Sequence, residues 1–193
     1  MSIQQTGRKK HTITLEDLKI ALKHLRTYHF GPVCNNRGGL TMLLKEFVEL
    51  GHYKFAEEAK SWEDAVRMSC ETLEADGTVE ADYKEEIIEC IRKYGPYIII
   101  MPNVAMPHSQ EGAKGVHKTA IGFMKLNKPV SFEPGDEEKD ARLFFTLASC
   151  DSEQHLENMT RLSELLMNEG AVEALLSANT PEDLIKIQSD YLD

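Results

Sequence analysis

Hydrophobic residues recur with helical spacing in the stretch that follows residue 60. Ser61 is a candidate N-cap, and apolar side chains follow it at intervals of three and four residues until Gly77. A second such stretch covers residues 80–94 and ends at the turn residues Gly95 and Pro96. These patterns predict two amphipathic helices. Ahead of them, the segment MLLKEFVELG (residues 42–51) predicts a short helix or lead-in.

Continuous apolar runs predict strands further along the chain. The run YIIIM (residues 97–101) is bounded by prolines, as expected of a strand covered on both faces. Three more strands are predicted: KTAIGFMKL (118–126), KPVSF (128–132) and ARLFFTLAS (141–149). A highly charged turn, EPGDEEKD (133–140), separates the last two.

The last 40 residues return to helical spacing. They contain QHLENMTRLSELLMN (154–168), AVEALLS (171–177) and a helix that Thr180 caps, with Pro181 at its first position. Helices therefore flank a block of strands. We predict an α/β fold, a sandwich in which helices flank a mixed β-sheet.

Composition and charge limit the function classes. The 193 residues are 41% apolar, and no apolar run approaches the roughly 20 residues that cross a bilayer, so we predict a cytoplasmic protein with no membrane insertion. Residues 42–193 hold 15 Lys or Arg against 30 Asp or Glu, an acidic surface that disfavours nucleic acid. The four cysteines form no CxxC pair, which argues against a disulfide framework or a zinc knuckle.

The first 41 residues differ from the rest of the chain. They hold 7 Lys or Arg against 2 acids, and Thr14 with the leucines of TLEDLKIALKHL predicts one amphipathic helix before a linker. Codons for Arg37 to Gly39 can contain a purine-rich ribosome-binding sequence just upstream of Met42. We hypothesise that the native start is Met42, which divides the chain into a basic extension (1–41) that is not native and a domain (42–193).

Histidine is the residue type left to carry chemistry. The sequence contains no glycine-rich nucleotide motif, no HExxH zinc motif and no GxSxG nucleophile elbow. We interpret His117, at the entry to a strand, as structural. The four remaining histidines outside the candidate site are interpreted as solvated: His11, His24, His29 and His52.

Two histidines occupy positions that favour a site. His108 follows Pro107 directly after an apolar segment, so the imidazole sits on a locally rigid backbone at a strand end, where α/β proteins gather ligands. His155 lies in the first turn of a predicted helix after the strongest strand, where the helix dipole favours anions. Either residue also has an ordinary structural interpretation, as a packing side chain or an exposed first-turn residue.

Four motifs in order carry a family resemblance. The YGPY segment (94–97), the sequence NVAMPH (103–108), KPVSF (128–132) and SEQHL (152–156) together resemble the IIA component of the sugar phosphotransferase system, in the mannitol and fructose class and its ascorbate-type branch. The resemblance runs from about Leu43 to the C-terminus. Relatives commonly have glycine where this chain has Asn103, and we expect the turn to survive because asparagine tolerates the left-handed conformation.

The resemblance implies a phosphoryl carrier. His108 corresponds to the histidine that takes a phosphoryl group from phospho-HPr and passes it to a cysteine of the IIB component, which serves a membrane IIC transporter, here for L-ascorbate. His155 corresponds to the second histidine, which stabilises the phosphoryl group. Neither a metal nor another cofactor is required. Amides of the loop SQEGAKG (109–115) could add hydrogen-bond donors, with Gly112 and Gly115 permitting close approach.

Two alternatives remain open from the sequence. A regulatory IIA-like module would accept phosphate in the same way but control a transcription factor or kinase. A metal site would need His108, His117, His155 and Cys150 to converge, although their spacing is not that of a local ligand motif.

Overall fold

A computed structural model describes residues 42–109 and 114–193. The helix predicted within residues 1–41 lies outside these ranges. The helices are α1 (Leu43–Leu50), α2 (Trp62–Ala75), α3 (Tyr83–Tyr94), α4 (Ser152–Met167), α5 (Glu169–Ser177) and α6 (Pro181–Ile187). The strands are β1 (Tyr53–Ala56), β2 (Ile99–Met101), β3 (Asn103–Ala105), β4 (Ala120–Ser131) and β5 (Asp140–Ala148). Short 3₁₀ and π segments cover Glu137–Lys139 and Gln188–Leu192.

The five strands form one mixed sheet in the order β1-β4-β5-β3-β2. The pairs β1 with β4 and β3 with β5 are parallel, whereas β4 with β5 and β2 with β3 are antiparallel. Helices cover both faces of the sheet, so the predicted mixed sheet flanked by helices is confirmed. Because β3 and β5 are parallel neighbours, their C-terminal ends point the same way. The segments that follow these two strands therefore begin at the same end of the sheet.

Side chains on the two faces of the sheet build two separate cores. Met124 and Phe144 face the core that α2 and α3 cover, and their sequence neighbours Phe123 and Phe145 face the core beneath α1, α4, α5 and α6. This alternation follows from the period of two residues in a strand. All four side chains are almost completely buried, and burial of each contributes roughly 1.5–3 kcal/mol to stability.

The helix ends largely follow the predicted caps. The Ser61 hydroxyl accepts a hydrogen bond from the Asp64 amide at 3.3 Å, and Thr180 and Asp183 form a capping box at the start of α6. The predicted helix at residues 80–94 begins later, at Tyr83, because residues 78–80 instead pair with residues 115–117.

Three strand predictions need correction. β1 was not predicted, and the two strands predicted over residues 118–132 are one strand, β4, whose register with β5 shifts between Lys125 and Val130. β2 was expected to be covered on both faces, but it is the edge strand of the sheet, and Ile100 and Met101 are only partly buried.

Within the ranges that the structure covers, no helix is long and apolar enough to span a membrane.

Candidate active site

His108 lies just beyond the end of β3, on a backbone that continues alongside β5. The Leu147 amide donates a hydrogen bond to the Pro107 carbonyl at 2.9 Å. The segment after β3 therefore still pairs with β5 beyond the last residue of β3. Pro107 is buried and His108 is half-buried. The predicted placement of His108 at a strand end is therefore what the fold shows.

The turn that leads into β3 depends on a left-handed residue. Asn103 has φ +68°, the one non-glycine residue with a positive φ among those the structure describes. Asparagine adopts this conformation at lower cost than most other residues. The expectation that Asn103 preserves the turn is thus confirmed.

One nitrogen of the His108 imidazole is held by the backbone. Nδ1 lies 2.8 Å from the Met106 carbonyl oxygen, and since a carbonyl can only accept, Nδ1 carries the proton. In the neutral ring, Nε2 then keeps its lone pair. An imidazole with an available Nε2 lone pair can act as a nucleophile or as a hydrogen-bond acceptor.

His155 lies in the first turn of α4, which begins directly after β5. The Asp151 carboxylate caps this helix by accepting a hydrogen bond from the Gln154 amide at 2.8 Å. His155 acts electrostatically to lower the pKa of the His108 imidazole, as the smallest of its three causes. His108 follows β3 and His155 follows β5, so these residues, 47 positions apart in the sequence, come after the same end of two parallel neighbouring strands.

Burial is the larger influence on His108. Removal from water lowers the pKa of its imidazole below the ordinary value of 6.5, the charge of His155 acts in the same direction, and the hydrogen bond to Met106 opposes them. The neutral ring is therefore favoured.

The connection between β5 and α4 is fixed by a residue that the sequence analysis did not single out. The Thr119 hydroxyl, just before β4, accepts hydrogen bonds from the amides of Cys150 at 3.1 Å and Asp151 at 3.2 Å. These bonds hold the start of α4, and hence His155, against the sheet. A threonine at the beginning of a strand offers no signal of such a role in the sequence.

α3 supports the segment after His108. The Ser109 hydroxyl donates to the Glu86 carboxylate, and the Tyr83 hydroxyl donates to the Leu147 carbonyl at 2.5 Å. Burial raises the pKa of Tyr83, so its hydroxyl stays protonated and remains a donor. The carboxylates of Glu86 and Asp151 both accept hydrogen bonds, from Ser109 and Gln154 respectively.

Other predicted participants lie elsewhere or outside the described residues. Gly112 falls in the undescribed stretch, and Gly115, with φ +67°, accepts a hydrogen bond from the Glu80 amide at 2.7 Å. His117 is exposed, with Nε2 3.0 Å from the Glu80 carboxylate. His52, interpreted as solvated, is instead buried, with Nε2 3.0 Å from the Asp76 carboxylate, because the chain folds it under the end of α2.

The metal alternative finds no support in this geometry. Over residues 42–109 and 114–193, no three His, Cys, Asp or Glu side chains are grouped so that they could hold a metal ion. Cys150 is exposed, and its sulfur lies 3.7 Å from the Thr119 hydroxyl.

The sequence matches a known family over most of its length. Residues 46–190 match the family described as "Phosphoenolpyruvate-dependent sugar phosphotransferase system, EIIA 2". The chain belongs to this family. The resemblance that the motifs at Asn103–His108 and Ser152–Leu156 carry is therefore confirmed.

Relatives of this EIIA protein include components named for ascorbate. The ascorbate-specific EIIA component of Escherichia coli K12 is 29% identical over 131 residues, which cover 67% of this chain and 84% of the relative. The corresponding Salmonella typhimurium component is 27% identical over 146 residues, which cover 75% of this chain and 94% of the relative.

Solved structures share the fold. The mannitol-specific cryptic enzyme IIA CmtB of Escherichia coli is 31% identical, with a TM-score of 0.67, and covers 77% of this chain and 99% of its own. The enzyme IIA that was solved in a complex with phosphorylated enzyme IIB for mannitol, also from Escherichia coli, is 25% identical, with a TM-score of 0.61 and coverages of 72% and 94%. An EIIA domain of this fold therefore docks on a IIB protein in that complex.

Proposed function

We propose that this EIIA protein carries a phosphoryl group on Nε2 of His108, receiving it from phospho-HPr and delivering it to a IIB cysteine that serves a membrane IIC transporter. The observation that carries the proposal is the hydrogen bond of 2.8 Å between Nδ1 of His108 and the Met106 carbonyl. It reserves Nε2 as the nucleophile. The names of the relatives favour L-ascorbate as the transported sugar.

The transfer to His108 is a displacement at phosphorus. The Nε2 lone pair forms a bond to phosphorus while the P–N bond of the donor phosphohistidine breaks, and the electron pair of that bond remains on the donor imidazole. His108 keeps its Nδ1 proton throughout because the Met106 carbonyl holds it. Such a transfer depends on in-line positioning and on donors for the equatorial oxygens.

His155 is proposed to supply one of these donors. Its place in the first turn of α4 combines an imidazole N–H with the partial positive charge of a helix N-terminus. Both favour the dianionic phosphoryl group once it is bonded to Nε2. The effect matters here because the chain is acidic, with 30 Asp or Glu against 15 Lys or Arg over residues 42–193.

Delivery to IIB reverses the arrangement. A cysteine thiolate of IIB attacks phosphorus, the bond from phosphorus to Nε2 breaks, and its electron pair returns to the ring. A neutral His108 is thereby regenerated with its proton still on Nδ1. The step needs no metal or nucleotide.

Phosphorylation by the upstream proteins is the direct test. Incubation with phosphoenolpyruvate, enzyme I and HPr should add one acid-labile phosphate per chain, and mass spectrometry should locate it in the peptide that spans Met101–Lys114. Omitting HPr is the control and should leave the chain unlabelled. Phosphate in any other peptide would contradict the proposal.

Onward transfer separates this function from the regulatory alternative. A carrier should lose its label to a cysteine of a partner IIB protein. A regulatory module would accept phosphate from HPr equally well but retain it in the presence of IIB.

The rate of phosphate acceptance should depend on pH through His108. Because burial and the charge of His155 lower the pKa of His108, the ring should stay nucleophilic below pH 6.5 and lose activity only as the pH falls through that lowered pKa. Single-turnover rates with phospho-HPr should reveal this midpoint. NMR titration of the His108 ring protons in the unphosphorylated protein separates it from titration of the donor, and a midpoint at or above 6.5 would contradict the prediction.

A further inference from the structure

The YGPY segment (94–97) carries part of the family resemblance, yet none of its residues takes part in the transfer steps proposed above. Gly95 ends α3 with φ +80°, and the Tyr97 amide donates to the Gly95 carbonyl at 2.7 Å. After this tight turn, the half-buried Tyr97 side chain lies against the His108 ring. The turn therefore determines where the phenol of Tyr97 lies.

Tyr97 contacts His108 in two ways at once. Its hydroxyl donates a hydrogen bond to the His108 backbone carbonyl. Its ring also lies edge-to-face with the imidazole, with centroids 5.0 Å apart and planes at 89°. Perpendicular aromatic pairs at this separation are attractive because the edge of one ring is positive and the face of the other negative.

These contacts complete a set of restraints around the imidazole. The Pro107 carbonyl is held by the Leu147 amide, and the His108 carbonyl is held by Tyr97, so the backbone is fixed on both sides of the residue. The Met106 carbonyl holds Nδ1, and the Tyr97 ring restricts rotation of the imidazole. Of the two ring nitrogens, Nδ1 is the one that the Met106 hydrogen bond engages.

The Tyr97 hydroxyl is suited to act as a permanent donor. Burial raises its pKa above the ordinary tyrosine value of 10, so it does not ionise at physiological pH. The backbone carbonyl of His108 can accept this hydrogen bond in either charge state of the imidazole. The restraint therefore persists through the whole transfer cycle.

We propose that Tyr97 is a positioning residue for phosphoryl transfer, which holds the His108 imidazole so that Nε2 faces the incoming phosphorus. This inference rests on the proposed function. Tyr97 acts through His108 and is not expected to contact the phosphoryl group. Its loss should therefore lower the rate of transfer at saturating phospho-HPr without weakening the binding of that donor.

Two substitutions separate the contributions of the hydroxyl and the ring. Tyr97→Phe removes only the hydroxyl and should slow single-turnover acceptance from saturating phospho-HPr about 10-fold, whereas Tyr97→Leu should slow it about 100-fold. The KM for phospho-HPr should change by less than about twofold in both. Tyr53→Phe is the matched control, since Tyr53 is half-buried in β1 at the opposite edge of the sheet.

A spectroscopic readout tests the mechanism without phosphorylation. The ¹⁵N shifts of the His108 ring should show a proton on Nδ1 in the unmodified protein, and a larger share of the Nε2-protonated tautomer in Tyr97→Leu. A purely structural role would not move this balance. If Tyr97→Leu does not fold, Tyr97→Phe decides, because it retains the ring.

The outcomes are distinct. Slower acceptance by Tyr97→Phe with an unchanged KM supports the inference, whereas wild-type rates in Tyr97→Phe together with wild-type ¹⁵N shifts overturn it and leave the proposed function intact. Absence of label in the unmodified protein would overturn the proposed function itself and the inference with it.

Discussion

Replacing His108 with alanine should abolish phosphorylation by phospho-HPr. The substitution removes Nε2, the atom proposed to bond to phosphorus. Alanine also leaves the Met106 carbonyl without its partner, so His108→Asn is the better variant: its side-chain amide can donate to that carbonyl but has no nucleophilic nitrogen. Labelling with radioactive phosphoenolpyruvate, enzyme I and HPr measures the effect.

His117→Ala is the control for this experiment. It removes an exposed imidazole that is paired with Glu80, and it should label at the wild-type rate. Circular dichroism should show that all three variants are folded. Retention of acid-labile phosphate by a folded His108→Asn protein would refute the assignment of the acceptor.

Replacing His155 with alanine should leave acceptance possible but slow delivery to IIB about 100-fold, the size of effect that loss of one oriented donor commonly has. Alanine is a good helix former, so α4 should remain intact. The measurement is the rate at which the pre-labelled variant loses phosphate to IIB in a rapid-quench experiment.

His155→Gln distinguishes the loss of the N–H hydrogen-bond donor from the loss of the side chain's volume. Glutamine retains an N–H group and should recover part of the rate, whereas alanine should not. Transfer by His155→Ala at the wild-type rate would remove His155 from the site and leave only the helix terminus to stabilise the phosphoryl group.

Elements with strong local signals were predictable from the sequence. α2 has a serine cap, an apolar stripe and a terminating glycine, and β5 has an apolar run too long to be a turn. For these two elements the information lies within a few neighbouring residues. The conformation of Asn103 was expected for another reason: relatives in the resembled family have glycine there, and asparagine tolerates a positive φ.

Features that depend on tertiary pairing were not predictable. β1 has only four residues, all partly buried, and becomes a strand because β4 lies beside it. β2 has the apolar composition of a central strand, yet β3 pairs with it on one side only. His52 becomes buried through its contact with Asp76, 24 positions away in the sequence.

In the candidate site, too, the residues were predictable from local signals but the contacts that hold them were not. Proline and a strand end made His108 a candidate, and a helix start made His155 one. The atom that holds Nδ1 is a backbone carbonyl two residues earlier, and Thr119 acts through its hydroxyl on a loop 31 positions away. The first contact has no signature in residue identity, because a carbonyl belongs to every residue. The second depends on which distant segments the fold brings together.

The charged hairpin between β4 and β5 lies at the opposite end of these strands from His108 and His155. Its tip is exposed at Glu133 and Gly135, and a Cβ atom added at Gly135 would meet nothing within 4 Å. A fluorophore, an affinity handle or a fused polypeptide joined at Glu133 would therefore stay clear of incoming proteins. The protein could be immobilised or labelled at that tip without blocking the proposed phosphoryl transfer at the end where His108 lies.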